Sequence, residues 1–379
     1  MRALLVALYC LLPAFALAQD FQTKAKQAIL MDYETGTVLF QKNADQPMPP
    51  ASMAKLMTME VVFDQLKSGV LTMESPFDIS EDAWRRGGAT SGGSTMFARL
   101  NDTIRLEDLI KGVIIVSAND ASIAIAEGLA GSESGFAGMM NQRARKIGLE
   151  NSTFRNATGL PDPEQLVTAR DLAKLARHII RTYPEYYGIY SEGDFTWNKV
   201  RQRNRNPLLG NIEGADGLKT GFTEASGYGL VGTAERDGRR LIVVLNGMSS
   251  KRERQAEAVK LMRWGQRAFR EIEIATDDAP IGEAEVFGGT STTVALRTEG
   301  PLKLYVPAGR QDRLRAEIVY EGPLQAPVEA GQRVGKLEVR LGDEVSQETP
   351  LFAAEDVPVG NIQQRALSAF KELTLGWSY

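Results

Sequence analysis

Near residue 271 the sequence changes texture, and that change is what most constrains the fold. Upstream, strand-like and helix-like stretches alternate. Downstream, short β-type runs at 292–297, 302–306, 314–320 and 333–341 are punctuated by Gly and Pro, the pattern of a small all-β domain. A chain of 379 residues is long enough for two or three domains. The expectation is an α+β catalytic-size domain over 19–270, a small β-sandwich over 271–360 and a separate tail over 361–379.

Both ends are distinct. Arg2 precedes an apolar run over residues 3–18 that ends in Ala16-Leu17-Ala18, the small-x-small pattern of a signal peptidase site. The run is short for a spanning helix and contains Pro13, so residues 1–18 are read as a signal peptide and the chain as exported. Cleavage removes Cys10, the single cysteine. At the other end Ile362, Ala366, Phe370, Leu373 and Trp377 recur at helical spacing and form one apolar stripe, with Tyr379 closing the chain. Such a helix packs on its own protein or lies in a membrane interface, and the second reading is favoured.

Within the first domain, residues 27–41 read as a hairpin around Glu34-Thr35-Gly36, and 228–234 with 241–248 as a second hairpin at Asp237-Gly238. Helices are expected over 52–66, 106–130, 134–147 and 253–269, with a glycine-rich loop over 86–94 and a turn over 156–161. Thr168 with Asp171 three residues on reads as a helix cap.

Composition removes several chemistries. The sole histidine, His178, lies in a helical context that suits a core edge or surface, so a Ser-His-Asp triad would rest on it alone. With one histidine and no mature cysteine, no metal is expected. The net charge of −4 argues against nucleic-acid binding. The reactive groups must come from Ser, Lys and carboxylates.

Three short patterns supply them. Ser52-Met53-Ala54-Lys55 puts a hydroxyl and an amine on one helix face, and a buried lysine loses its proton readily enough to serve as a base. Ser117-Ala118-Asn119 follows an apolar run, and Lys219-Thr220-Gly221 precedes Phe222 and a strand hairpin. Each alone is common: a capping serine, a turn, a surface loop. Their order and local contexts together point to one site.

With its motifs PASMAKLMT at 50–58, SANDA at 117–121 and DGLKTG at 216–221, the chain resembles the low-molecular-mass penicillin-binding proteins that are serine-type D-alanyl-D-alanine carboxypeptidases. The likeness spans nearly the whole chain. It implies a β-lactamase-like catalytic domain, an antiparallel sheet flanked by helices plus a helical subdomain, followed by the β domain. It implies Ser52 as acyl-ester nucleophile, Lys55 as general base, Ser117 as proton relay and Asn119 as holder of Lys55 and a substrate amide. Lys219 and Thr220 would engage the substrate carboxylate, and Gly221 would let the strand backbone approach the bound peptide. The N–H of Phe222 would join that of Ser52 in an oxyanion hole, and Arg254 would sit near the carboxylate. Some members carry histidine where this chain has Phe222, so a side-chain role there does not transfer. No cofactor is implied. The expected partners are peptidoglycan stem peptides, β-lactams as inhibitors and the outer face of the cytoplasmic membrane, in the periplasm. Alternatives on the same residues are a β-lactamase, a DD-endopeptidase or a non-catalytic wall-binding protein.

Overall fold

A computed structural model describes residues 21–276, 279–307 and 314–375. The proposed signal peptide and the tail residues Trp377 and Tyr379 lie outside them.

Strands β1 (Gln27–Asp32) and β2 (Val38–Lys42) form the expected first hairpin. Two short ladders follow, β3 (Pro76–Asp78) with β4 (Thr103–Arg105) and β5 (Asp194–Trp197) with β6 (Val200–Arg203). The main sheet is completed by β7 (Ala215–Thr223), β8 (Gly227–Arg236) and β9 (Arg239–Met248), in the antiparallel order β2-β1-β9-β8-β7. The N-terminal hairpin thus pairs with a meander two hundred residues later, and the helices lie between.

Strand β1 shows how the sheet is held. All six of its residues are buried, because both sheet faces are covered. Ile29 and Met31 point into one core with Val231, Ile242 and Val244. Ala28 and Leu30 point into the other with Val243, Leu245 and Leu261. The second core is closed by α7 (Lys251–Ala268), named after the helices below.

The helical side centres on α1 (Lys55–Lys67), entered through a 3-10 turn at Ala51–Ala54. Ten of its thirteen residues are buried, from Lys55 to Phe63 plus Leu66. A helix apolar on every side must be enclosed, and α2 (Leu106–Ile115), α3 (Asn119–Ala130), α4 (Glu133–Lys146), α5 (Ala169–Thr182) and the short α6 (Pro184–Tyr187) surround it.

Two expectations need correction. The continuous helix expected over 106–130 is broken at 116–118, where Ser117 takes φ +63°, a left-handed value that ends α2 before α3 begins. The glycine-rich stretch is not all loop: residues Ala83–Gly87 form one π-type turn and Ala89–Ser91 one 3-10 turn. Other ends move by one to three residues: α1 begins at Lys55 after the 3-10 turn, and Ser250 caps α7, its Oγ accepting from the Glu253 N–H at 3.1 Å. His178 sits half-buried on α5, with Nε2 3.2 Å from Glu60 Oε1, the core-edge role expected.

The β domain contains β10 (Phe269–Ala275), β11 (Gly282–Phe287), β12 (Thr293–Arg297), β13 (Leu302–Pro307), β14 (Leu314–Tyr320), β15 (Leu324–Gln325), β16 (Arg333–Leu341) and β17 (Glu344–Ala353). They make a six-stranded sheet, β14-β16-β17-β12-β11-β15, and a β10-β13 pair around a core of Val294, Leu304, Leu337 and Leu351. Ser346 Oγ donates to the Val38 carbonyl at 2.9 Å and Arg239 stacks on Tyr305 at 3.9 Å, which tie this domain to the main sheet.

Helix α8 (Ile362–Leu375) ends the described chain. Three of its apolar residues are largely open to solvent: Ile362 is 83%, Leu367 64% and Phe370 66% exposed. No described helix is long and apolar enough to cross a membrane.

Thr168 caps α5, its Oγ1 accepting from the Asp171 N–H at 3.1 Å. Thr168→Ala should cost about 1 kcal/mol, read as a lower urea midpoint for the catalytic domain; an unchanged midpoint would show the cap contributes nothing.

Candidate active site

The site forms where α1, the α2–α3 break and the edge strand β7 meet. Ser52 lies in the 3-10 turn, whose preceding residue Ala51 takes φ +47°. Three residues on, Lys55 begins α1 with its side chain fully buried. Its Nζ donates to Ser52 Oγ at 3.2 Å, to Asn119 Oδ1 at 2.8 Å and to the Thr158 carbonyl. Burial is the main cause that pulls the Lys55 pKa down to about 7, and the charge of Arg205 adds to it; Glu133 and Asp120 oppose.

The partner set fixes a proton direction. Two of the three groups around Nζ are carbonyl oxygens, which only accept. A neutral Lys55 can therefore give its two N–H bonds to Asn119 and Thr158, and its lone pair faces the one group able to donate, the Ser52 hydroxyl. That is the arrangement a serine nucleophile needs.

Ser117 reaches the same space because the helix breaks there. Its Oγ accepts from Lys219 Nζ at 2.8 Å, and Lys219 also donates to the Thr220 carbonyl at 3.1 Å. Lys219 is buried, and desolvation, followed by the nearby charges of Lys55, Arg205 and Arg254, holds its pKa well below the usual lysine value. Asn119 is the first residue of α3, and its N–H donates to the Ser94 carbonyl at 2.7 Å.

Strand β7 forms the opposite wall. As an edge strand it leaves one row of backbone groups free toward the cavity. A Cβ on Gly221 would lie 3.0 Å from the Pro50 carbonyl oxygen and 3.1 Å from Ala51 Cβ, so glycine there permits the strand to approach the nucleophile turn. Phe222, 46% exposed, stacks on Tyr228 with centroids 4.1 Å apart. Arg254, from α7, is only 7% exposed; its Nη1 makes a long 3.5 Å contact to the Gly229 carbonyl and its Nε has no partner among the described residues. Burial lowers its pKa to about 10.

The cavity so enclosed has a volume of about 630 Å³. Ser52, Ser117, Asn119, Thr220, Gly221, Phe222 and Arg254 line it, and Lys55 and Lys219 bond to the lining groups from behind. All the singled-out residues are therefore in one place. Among the described lining residues none is Asp or Glu, while Arg205, Lys251 and Arg254 are cationic. The cavity is built for an anion.

Sequence reasoning missed three contributors. Gly159, at φ +78°, passes so close to the nucleophile turn that a Cβ would lie 1.9 Å from the Ala51 carbonyl oxygen; its turn was legible but not its neighbour. Arg205 donates to Ser94 Oγ across the cavity mouth, and nothing near it in sequence marks it. Asp120 is buried behind Asn119 and accepts from Thr95 Oγ1 at 2.5 Å and from the N–H groups of Met96 and Ala98 at 3.1 Å each. Burial pushes its carboxyl pKa up against these bonds.

Comparison with known proteins agrees with this geometry. The D-alanyl-D-alanine carboxypeptidase family matches residues 14–249, and the penicillin-binding protein 5 C-terminal domain matches 269–359. The chain is 40% identical to D-alanyl-D-alanine carboxypeptidase DacC of Escherichia coli, over 92% of this chain and 88% of that protein. It superposes on penicillin-binding protein 5 from Haemophilus influenzae with a TM-score of 0.75 and 38% identity, covering 89% of this chain and 98% of that one. Penicillin-binding protein D2 from Listeria monocytogenes in its ampicillin-bound form gives a TM-score of 0.57 at 32% identity, covering 65% and 99%.

Asp120→Ala would leave buried N–H groups without an acceptor. A loss of about 3 kcal/mol is expected, a melting temperature lower by on the order of 10 °C. An unchanged melting curve would contradict the support assigned to this carboxylate.

Proposed function

The chain belongs to the D-alanyl-D-alanine carboxypeptidase family, and we propose that it removes the terminal D-alanine from peptidoglycan stem peptides through an acyl-ester on Ser52. The observation that carries the reading is the buried Lys55 amine 3.2 Å from Ser52 Oγ, with a pKa near 7.

The steps follow from the contacts. Lys55 takes the Ser52 proton as Oγ attacks the carbonyl between the two D-alanines. The backbone N–H groups of Ser52 and Phe222 receive the oxyanion, a contribution of about 3–4 kcal/mol per donor in acyl transfer. Ser117, held by Lys219, relays to the departing amine the proton that Lys55 took, so that D-alanine leaves neutral at nitrogen, Lys55 is again the free base and the acyl group remains on Ser52. Asn119 keeps Lys55 in place and meets the substrate amide. Thr220, Lys219 and Arg254 hold the terminal carboxylate; the unpartnered Arg254 Nε in a cavity without carboxylates supports that role. Water then attacks the ester, restores the Ser52 hydroxyl and releases the shortened peptide.

A β-lactam presents a similar acyl and carboxylate pair and would acylate Ser52. The lining contains no described glutamate to activate a deacylating water, which favours a slowly hydrolysed adduct over β-lactamase turnover. Endopeptidase cleavage of cross-links uses the same groups and is compatible with them. On this reading the mature protein works in the periplasm and rests on the cytoplasmic membrane through α8, and the exposure of Ile362, Leu367 and Phe370 supports that attachment. Flotation with phospholipid vesicles tests that attachment: binding should be lost when residues 361–379 are removed, and persistence would exclude the helix as anchor.

Mass spectrometry after penicillin should find one adduct, on Ser52, absent from Ser52→Ala; an adduct elsewhere would overturn the assignment. Because only neutral Lys55 accepts a proton, the acylation rate should fall about tenfold per pH unit below about 7 and level off above it. A rate independent of pH from 5 to 8 would remove Lys55 as the base.

A further inference from the structure

Only one large apolar side chain in the cavity lining is strongly exposed among the described residues. Phe222 presents its ring to solvent at 46% exposure, in a lining whose other residues are hydroxyl-bearing, glycine, amide and cationic apart from the half-buried Leu160. The ring is not loose. Phe222 and Tyr228 are register partners across β7 and β8, and their rings stack at 4.1 Å with planes 26° apart. The turn that joins them is locked on itself: the Thr223 N–H donates to Ser226 Oγ at 3.0 Å and the Ser226 N–H donates to Thr223 Oγ1 at 3.1 Å. The Arg254 guanidinium lies 5.8 Å from the Tyr228 ring centroid, on the same wall.

Position on the strand gives the wall a direction. Thr220 and Phe222 are two residues apart in β7 and share a face. Thr220 and Arg254 are the groups assigned above to the terminal carboxylate. The Phe222 N–H serves the acyl carbonyl, but its ring and that of Tyr228 stand on the side of the carboxylate clamp and therefore flank the residue that leaves. A bound D-residue whose carboxylate is clamped there must hold its α-substituent near Phe222. A methyl group covers little of a phenyl ring, and a branched or longer aliphatic chain covers much more; each added methylene in contact with an apolar wall gains on the order of three- to fourfold in binding when fully buried.

We propose that Phe222 and Tyr228 form an apolar subsite for the leaving residue, so that this enzyme releases C-terminal D-amino acids with larger aliphatic side chains as well as D-alanine. The inference rests on the carboxypeptidase reading and deepens it. The reaction is unchanged in balance: the same amide bond is broken, the amine of the leaving D-residue takes the proton, and water completes hydrolysis.

The test compares two synthetic peptides, diacetyl-L-lysyl-D-alanyl-D-alanine and its D-leucine-terminated analogue, with the full mature protein. Wild type should release D-leucine with kcat/KM at least comparable to that for D-alanine. Phe222→Ala keeps the backbone N–H and should lower the D-leucine to D-alanine ratio of kcat/KM by about fivefold, chiefly through KM. Phe222→Tyr keeps a ring and should preserve the ratio, which separates a lost apolar contact from a disturbed strand. Equal losses on both peptides in Phe222→Ala, or wild-type release of D-alanine without D-leucine, would overturn the subsite. Failure of wild type to release D-alanine at all overturns the carboxypeptidase reading and the subsite with it, and is recognised by that first measurement.

Discussion

A lysine amine taken out of water is the constraint on which the rest of the catalytic domain depends. Lys55 has no solvent access, and its pKa sits near 7 because the ammonium form is poorly accommodated there. An unpaired buried cation is costly, so the surroundings supply carbonyl oxygens from Asn119 and Thr158 but no carboxylate in contact. A salt bridge would stabilise the charged form and remove the base. The charge of Arg205 pushes in the same direction, and Lys219 beside it is likewise held well below the usual lysine value, by burial first and then by Lys55, Arg205 and Arg254.

Keeping water from Lys55 explains the architecture around it. Helix α1 is buried on all sides, which requires the shell of α2 to α5 and a sheet behind. That sheet must in turn be covered on its other face, which is the place of α7, and α7 brings Arg254 to the cavity. The order β2-β1-β9-β8-β7 leaves β7 at the edge, beside the nucleophile turn and open to an extended peptide. The opposite edge, β2, has the tip of the β16–β17 hairpin against it, where Ser346 reaches the Val38 carbonyl. One edge faces the cavity and the other is partly occupied by the second domain.

How much of this was legible follows from the range of each interaction. The hairpins, the Thr168 cap and the β-rich texture after residue 271 are local signals, and they stand where the sequence puts them. The nine site residues were found because motifs are short and chemically distinctive; the fold then brings together Ser52, Ser117 and Lys219 across gaps of 65 and 102 residues. What escaped was set by contacts distant in sequence. Hydropathy runs straight through 106–130, and nothing in it reveals that Ser117 must turn left-handed to aim its hydroxyl at Lys219. Asp120 reads as one more residue of the SANDA motif inside a continuous helix, yet it is the acceptor that fastens residues 95–98 behind the cavity.

The two glycines that meet the nucleophile turn show why such a site resists a purely local reading. Gly159 and Gly221 approach residues 50–51 from opposite elements, one from the loop that gives the Thr158 carbonyl to Lys55, the other from β7. A side chain on Gly159 would collide with the Ala51 carbonyl, and one on Gly221 would force its neighbours to give by a few tenths of an ångström. The turn carrying Ser52 is therefore gripped between the group that orients the base and the strand that presents the substrate. Its own backbone is held at φ +47° at Ala51, a conformation that a non-glycine residue keeps only when its neighbours enforce it. Position of the nucleophile is then a property of three segments together, and no one of them carries it alone.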